Sequence, residues 1–127
     1  MLTDTHCHLF YDGLKDNLPD ILDRAKQLGV DRFICVATNL EDALECLKLA
    51  ETHATIWASA GVHPHDAKDA PSNLNNRIRE LMDHEKMVAV GEMGLDYFRN
   101  ISDQETQQKI FRQQMSIAQD LNIPVIF

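Results

Sequence analysis

The chain has 127 residues, of which 44% are hydrophobic and 25% charged, as in an ordinary globular domain. We therefore expect one domain spanning residues 1–127. The net charge of −8 argues mildly against nucleic-acid binding, since an acidic surface repels a polyanion unless bound cations or a local basic patch reverse the field. No apolar run approaches the ~20 residues of a membrane span, and the amino-terminal residues lack the features of a secretion signal. The expectation is a cytoplasmic protein without membrane contact.

The three cysteines, Cys7, Cys35 and Cys46, are odd in number and lack the paired spacing of a zinc site. Free thiols in a reducing compartment are the prediction.

Short runs rich in β-branched and apolar residues recur along the chain and predict strands. These runs are apolar without alternation, which is typical of parallel strands covered on both faces. The predicted strands are Leu2–His8, Arg32–Ala37, Ile56–Val62, Met87–Gly91 and Ile123–Phe127.

Four segments with helical spacing lie between these strands. Gly29 is placed to end the first helix in a left-handed conformation, and Asn39 to cap the second. Ser72 is the predicted cap of the third, and Ser102 with Glu105 forms a capping-box pattern for the fourth. The predicted buried stripes are Leu18, Ile21, Leu22, Ala25 and Leu28; Leu40, Ala43, Leu44, Leu47 and Ala50; Leu74, Ile78, Leu81 and Met82; and Phe111, Met115, Ala118 and Leu121.

Alternating strands and helices indicate an α/β fold, and two layouts fit. One is an open doubly wound sheet complete at this length, and the other is the first part of an eight-stranded barrel, which typically needs about 250 residues. In both layouts, chemistry gathers at the carboxyl ends of the strands.

His6 and His8 lie at such an end and, as alternate strand residues, project the same way. Glu92 follows the apolar run Val88–Gly91, where a carboxylate next to the core needs a cation or hydrogen-bond donors. Two imidazoles and one carboxylate suit Zn²⁺, Mn²⁺ or, with more oxygen ligands, Mg²⁺. A salt bridge from Glu92 to a basic loop residue is the alternative.

His63 and His65 flank a proline directly after the third predicted strand, on the same rim. They can hold a phosphate or leaving group, or they are a solvated loop pair. Asp4 lies on the strand face of His6 and can orient it or make an ordinary polar contact. Asp96, in the loop after Glu92, receives no role.

No serine or cysteine nucleophile with a partner base is evident, and neither is a phosphate-binding glycine loop. A metal-activated water is the only nucleophile that these residues suggest.

Three segments in register resemble the TatD family of metal-dependent deoxyribonucleases. They are Asp4–Leu9 (DTHCHL), Gly61–His65 (GVHPH) and Val90–Tyr97 (VGEMGLDY), and the order and spacing agree throughout. The stretch from Phe111 to Ile126 also resembles the helix and strand that lead, in that family, to its next metal-binding histidine. The match covers the whole chain but only about the first half of a family member.

The resemblance implies a partial (β/α)₈ TIM barrel of the amidohydrolase type, with roughly the first five strands and four helices. It also implies two divalent cations, Mg²⁺, Mn²⁺ or Zn²⁺, that hydrolyse phosphodiester bonds in DNA. On that analogy His6 and His8 bind one metal and Glu92 bridges both. His63 helps to hold the substrate phosphate or completes the second site, and His65 is a rim residue near the phosphate.

The family's further metal-binding histidines, an arginine and a late aspartate that handles the proton have no counterpart in these 127 residues. The expectation is an amino-terminal half whose general base lies beyond residue 127, and which alone does not degrade DNA at a normal rate. Unpaired edges at the first and fifth strands predict self-association. The alternatives are an amidohydrolase acting on another ester, lactone or amide, and a non-catalytic doubly wound binding module.

Overall fold

The computed structural model describes residues 1–127, in which four strands alternate with four α-helices. Two short 3₁₀ helices, Lys15–Asn17 and Pro64–Asp69, lie in the loops after the first and third strands. The strands are β1 (Leu2–Cys7), β2 (Val30–Cys35), β3 (Ile56–Ala60) and β4 (Met87–Val90), and the helices are α1 (Leu18–Gln27), α2 (Leu40–Thr52), α3 (Leu74–Met82) and α4 (Gln104–Leu121).

The strands form one parallel sheet in the order β1-β2-β3-β4. A doubly wound sheet reverses its strand order at a switch point, whereas a (β/α)₈ barrel places each new strand beside the previous one. The sequential order is that of the barrel, so the doubly wound layout is wrong.

The segment Ile123–Phe127, expected as a fifth strand, lies beside β4 but forms only one isolated parallel bridge, between Val90 and Val125. The Val90 N–H donates to the Pro124 carbonyl at 3.0 Å, and the Ile126 N–H donates to the Val90 carbonyl at 3.0 Å. Pro124 has no N–H of its own, which shortens the ladder that this segment can form.

Two of the predicted helix ends are confirmed. The Asn39 side chain caps α2 by accepting from the N–H groups of Glu41 and Asp42, and Gly29, with φ +87°, follows the end of α1. Leu28 does not continue the buried stripe of α1, because it lies at the helix end and is 82% exposed.

The other two predicted caps are wrong. The residue at the start of α3 is Asn73, which makes no side-chain capping bond, and α4 is capped by Asp103, whose carboxylate accepts from the Thr106 N–H. Ser102 is buried instead, where its hydroxyl accepts from the Lys68 N–H and donates to the His65 carbonyl.

The buried face of α4 also differs from the prediction. Met115 and Leu121 are each 36% exposed, and the helix instead buries two glutamines among its aliphatic residues. These glutamines bind loop backbone groups, which explains why polar residues occupy the inner face. The buried residues of α4 are Gln107, Ile110, Gln114, Ile117 and Ala118.

The three cysteines are free, as predicted, and Cys35 and Cys46 are fully buried in the core between β2 and α2. No helix combines the length and the apolar character that a membrane crossing requires.

Candidate metal centre

Three donor side chains meet at the carboxyl edge of the sheet. His6 and His8 come from the end of β1, and Glu92 follows β4. The Glu92 Oε2 atom lies 3.2 Å from His6 Nε2 and 3.9 Å from His8 Nε2, and the three ligand atoms are all within 4.8 Å of one another. The contact between His6 and Glu92 joins residues that are 86 positions apart in the chain and that belong to the two outermost strands of the sheet and the loop after one of them.

A backbone contact fixes the orientation of the His8 ring. His8 Nδ1 lies 2.7 Å from the carbonyl oxygen of Val36, the residue that follows β2. Because a carbonyl only accepts, Nδ1 carries the proton and the Nε2 lone pair faces Glu92. Tyr11 stacks on the other side of this ring, with centroids 5.1 Å apart and planes 16° from parallel.

Short contacts between strands fix the position of Glu92. Its N–H donates to the Ala37 carbonyl at 2.7 Å, and the Ser59 hydroxyl donates to the Gly91 carbonyl at 2.7 Å. The chain at Gly61 passes so close that an added Cβ would lie 2.6 Å from the Gly91 backbone. Glycine is therefore required at residue 61 for the strands to approach and direct Glu92 to the rim.

His63 lies on the other side of the Glu92 carboxylate, with its Nε2 atom 3.8 Å from Glu92 Oε1. Its Nδ1 atom accepts from the His65 N–H at 3.1 Å, so in the neutral ring the proton is on Nε2. Burial lowers the pKa of His63, while the nearby Glu92 charge acts in the opposite direction. The neutral ring is a hydrogen-bond donor toward the cleft and offers no lone pair there.

His65 is bound by a residue to which the sequence analysis gave no role. Its Nε2 atom lies 2.5 Å from Asp96 Oδ2. The Arg99 N–H and His65 both hold the pKa of Asp96 below its usual range. The loop that begins at Glu92 thus returns to the histidine segment after β3. The only signal of this contact in the sequence was that Asp96 lies close to Glu92 in the chain.

Asp4 and the two remaining histidines, His53 and His84, lie outside the cluster or bind the backbone. Asp4 accepts from the backbone N–H of His6 at 3.0 Å and does not bind its ring. His84 lies near the end of α3, with its Nε2 atom 3.4 Å from Glu51 Oε1. His53 is the residue that caps the carboxyl end of α2.

The three donors fit a divalent cation. Ligand atoms on one tetrahedral ion with bonds near 2.0 Å are about 3.3 Å apart. The distances of 3.2 Å and 3.9 Å from Glu92 are close to that value, and no two ligand atoms are more than 4.8 Å apart. The oriented Nε2 of His8 and the carboxylate are the donor types that Zn²⁺ and Mn²⁺ accept.

Comparison with known proteins gives consistent matches. The family described as TatD related DNase matches residues 3–127. A relative from Bacillus subtilis, named uncharacterized metal-dependent hydrolase YabD, is 37% identical over 126 residues, covering 99% of this chain and 49% of the relative. The 3'-5' ssDNA/RNA exonuclease TatD of Escherichia coli K12 is 40% identical over 106 residues, covering 84% of this chain and 41% of that protein.

The solved structures agree with the sequence matches. The TatD homolog YjjV of Escherichia coli has a TM-score of 0.89 at 32% identity, over 98% of this chain and 49% of that chain. A TatD family hydrolase from Entamoeba histolytica has the same fold, with a TM-score of 0.87 at 23% identity. The chain spans about half the length of the curated relatives it matches. On the family match over residues 3–127, the chain belongs to the TatD related DNase family.

Proposed function

We propose that His6, His8 and Glu92 bind a divalent cation, Mg²⁺, Mn²⁺ or Zn²⁺, in a site that hydrolyses phosphodiester bonds in DNA. The observation that carries the proposal is the convergence of three ligand atoms within 4.8 Å at the carboxyl edge of the sheet. In barrels of this type that edge is where chemistry occurs.

The two oxygens of Glu92 face different partners, which supports a bridging role. Oε2 faces His6 and His8, and Oε1 faces His63. A second cation beside Oε1 needs donors in addition to these, since the His63 ring presents a hydrogen there rather than a lone pair. Divalent cations in such a site supply an activated water and neutralise charge on the phosphate.

The residues around the carboxylate have roles that follow from their hydrogen bonds. The Val36 carbonyl holds His8 in the tautomer that leaves Nε2 free. His63 donates from Nε2 to a phosphate oxygen, and His65, fixed by Asp96, is a second rim residue beside that phosphate. The positive charge of a bound divalent cation also reduces the electrostatic repulsion between DNA and a chain of net charge −8.

The relative from Escherichia coli is named a ssDNA/RNA exonuclease, which supports nucleic acid as the substrate class. We take DNA as the substrate of this protein.

The exposed edge of β1, whose residues from Leu2 to His6 are all exposed, supports pairing with a second copy of the chain. A stable monomer by light scattering would contradict that pairing.

Calorimetry with Mn²⁺ tests the metal site directly. We expect Mn²⁺ to bind the chain and the Glu92→Gln variant to bind at least about 100-fold more weakly, because it replaces a charged ligand with a neutral one of the same size. Glu80→Gln is the matched control, since Glu80 is exposed on α3. Equal affinity in the Glu92→Gln variant would refute the ligand assignment.

Cleavage of end-labelled single-stranded DNA by a longer protein that contains this chain tests the activity. We expect cleavage to require the divalent cation and to be lost in Glu92→Gln but not in Glu80→Gln. Cleavage that survives both chelation of the metal and the loss of the Glu92 charge would exclude the proposed mechanism.

A further inference from the structure

Arg99 is the only lysine or arginine that lines the polar cleft beside the donor cluster. The cleft has a volume of about 340 Å³ and also contains two carboxylates, those of Asp66 and Glu92. A phosphate chain that enters it therefore meets one permanent positive charge besides any bound metal. Three histidines, His8, His63 and His65, also line the cleft.

The backbone that carries Arg99 is fixed by a buried side chain. Gln107 of α4 is 1% exposed, and its Oε1 accepts from the Asp96 N–H at 2.8 Å while its Nε2 donates to the Asp96 carbonyl. The Asp96 carboxylate in turn accepts from the Arg99 N–H at 2.9 Å and binds His65. The start of the Arg99 side chain is thus held at a fixed distance from the rim histidines.

The end of the Arg99 side chain is free by comparison. The side chain is 65% exposed, and its Nη1 atom is 3.9 Å from Asp96 Oδ2, which is too long for a hydrogen bond. The guanidinium keeps its donors for a ligand, and its planar fork matches the paired oxygens of a phosphate.

We propose that Arg99 binds a non-bridging phosphate oxygen of a nucleic-acid strand, next to the phosphate held at the Glu92 site, with Asp96 as its positioning residue. This inference rests on the proposed function, because it assumes that the strand enters this cleft. Asp96 holds both His65 and Arg99 in place, so that both residues lie beside the same stretch of the nucleic-acid backbone.

The test is binding of a fluorescently labelled, phosphorothioate-protected single-stranded oligonucleotide to the chain in Mn²⁺, measured by anisotropy over a series of salt concentrations. We expect Arg99→Ala to bind about tenfold more weakly and to reduce the slope of log affinity against log salt by about 0.7, the value for one lost contact to a single strand. Arg99→Lys should keep the slope and recover part of the affinity, since it keeps the charge and loses the fork.

Arg24→Ala is the matched control. Arg24 is exposed near the end of α1, which leads directly into the start of β2. Arg24 therefore lies near the amino ends of the strands, whereas the cleft lies at their carboxyl ends. Removing it changes the net charge by the same amount, and we expect neither affinity nor slope to change beyond this small global effect.

Mn²⁺ calorimetry distinguishes a failure of the proposed function from a failure of this inference alone. Wild-type chain that binds neither Mn²⁺ nor the oligonucleotide would overturn the proposed function and this inference together. Metal and oligonucleotide binding with an unchanged salt slope in Arg99→Ala would overturn the inference alone. Loss of slope in Arg99→Ala with unchanged Mn²⁺ affinity and unchanged thermal unfolding supports it, because a merely structural arginine would not alter the slope.

Discussion

The two halves of the sheet hold the candidate site in different ways. In the β3–β4 half, the strands are mostly buried, and the inner polar side chains Ser59 and Gln114 bind backbone groups. In the β1–β2 half, β1 is exposed along most of its length and pairs with β2 alone. One half supplies the carboxylate and the other supplies the two imidazoles.

The difference indicates that the Glu92 side is set by tight packing and the histidine side by strand pairing and one ring contact. The strands cannot move apart at Gly61 without breaking buried hydrogen bonds. Breaking them lowers the free energy of unfolding, because buried backbone groups need partners. Substitutions in the β3–β4 half should therefore cost more free energy of unfolding than equivalent ones beside β1 and β2.

The largest effect is expected at Gly61. Gly61→Ala places a Cβ 2.6 Å from the Gly91 backbone, which cannot move without displacing β4. We expect the free energy of unfolding to fall by about 3 kcal/mol in urea denaturation, or the variant not to fold. Gly94→Ala is the control, since no heavy atom lies within 4 Å of its added Cβ. Similar stability of both variants would contradict the close approach of the strands.

Gln114→Leu should have the next largest effect. The Gln114 side chain accepts from the Val62 N–H at 2.7 Å and donates to the Val62 carbonyl at 3.0 Å, and leucine leaves both groups buried without partners. The expected loss is about 2 kcal/mol, measured by urea unfolding. Gln119→Leu on the exposed side of the same helix should change stability by less than about 0.5 kcal/mol. An equal loss of free energy of unfolding in both variants would show that the hydrogen bonds of the buried Gln114 amide do not stabilise the β3–β4 half.

The cap of α2, the helix that connects the two halves of the sheet, gives a smaller expected effect. Asn39→Ala removes the acceptor for two N–H groups and should cost about 1 kcal/mol. Asn73→Ala is a matched control, because Asn73 stands at the same position of α3 without a side-chain capping bond. Thermal or urea unfolding of the pair measures the value of the bond, and equal losses would show that Asn39 does not act through its side chain.

The last prediction concerns a reaction rate rather than the free energy of unfolding. Burial raises the pKa of Cys7 to about 12, with the Cys35 and Asp4 charges adding to the shift. Since the thiolate is the reactive form, alkylation of Cys7 at pH 8 should be on the order of a thousandfold slower than that of an ordinary cysteine. Mass spectrometry of the native chain, with a urea-unfolded sample as control, measures this rate. Rapid labelling of the native chain would indicate that β1 opens readily.

Much of the local structure followed from the sequence. The apolar runs identified four strands, and Asn39 and Gly29 marked helix ends, because each signal depends on residues that are near in the chain. Ser102 failed as a cap since Asp103 beside it offers an equally good acceptor, and burial of Ser102 against the His65 segment decided between them.

The inner face of α4 was less accessible to the sequence. Gln107 and Gln114 resemble solvent-facing residues in a helical pattern, and their burial depends on the loop groups of Asp96 and Val62 that need hydrogen bonds. Asp96 had no assigned role for the same reason, because its partner His65 is 31 residues away.

The sequence by itself determined which residue types can bind a cation and on which strand ends they stand, since alternation along β1 and the end of an apolar run are local properties. Only the tertiary structure decided that the strands follow one another in order and that His6, His8 and Glu92 converge within 4.8 Å. The physical reason is that strand pairing and backbone approach are made between distant segments, whose energies depend on packing that no local pattern contains.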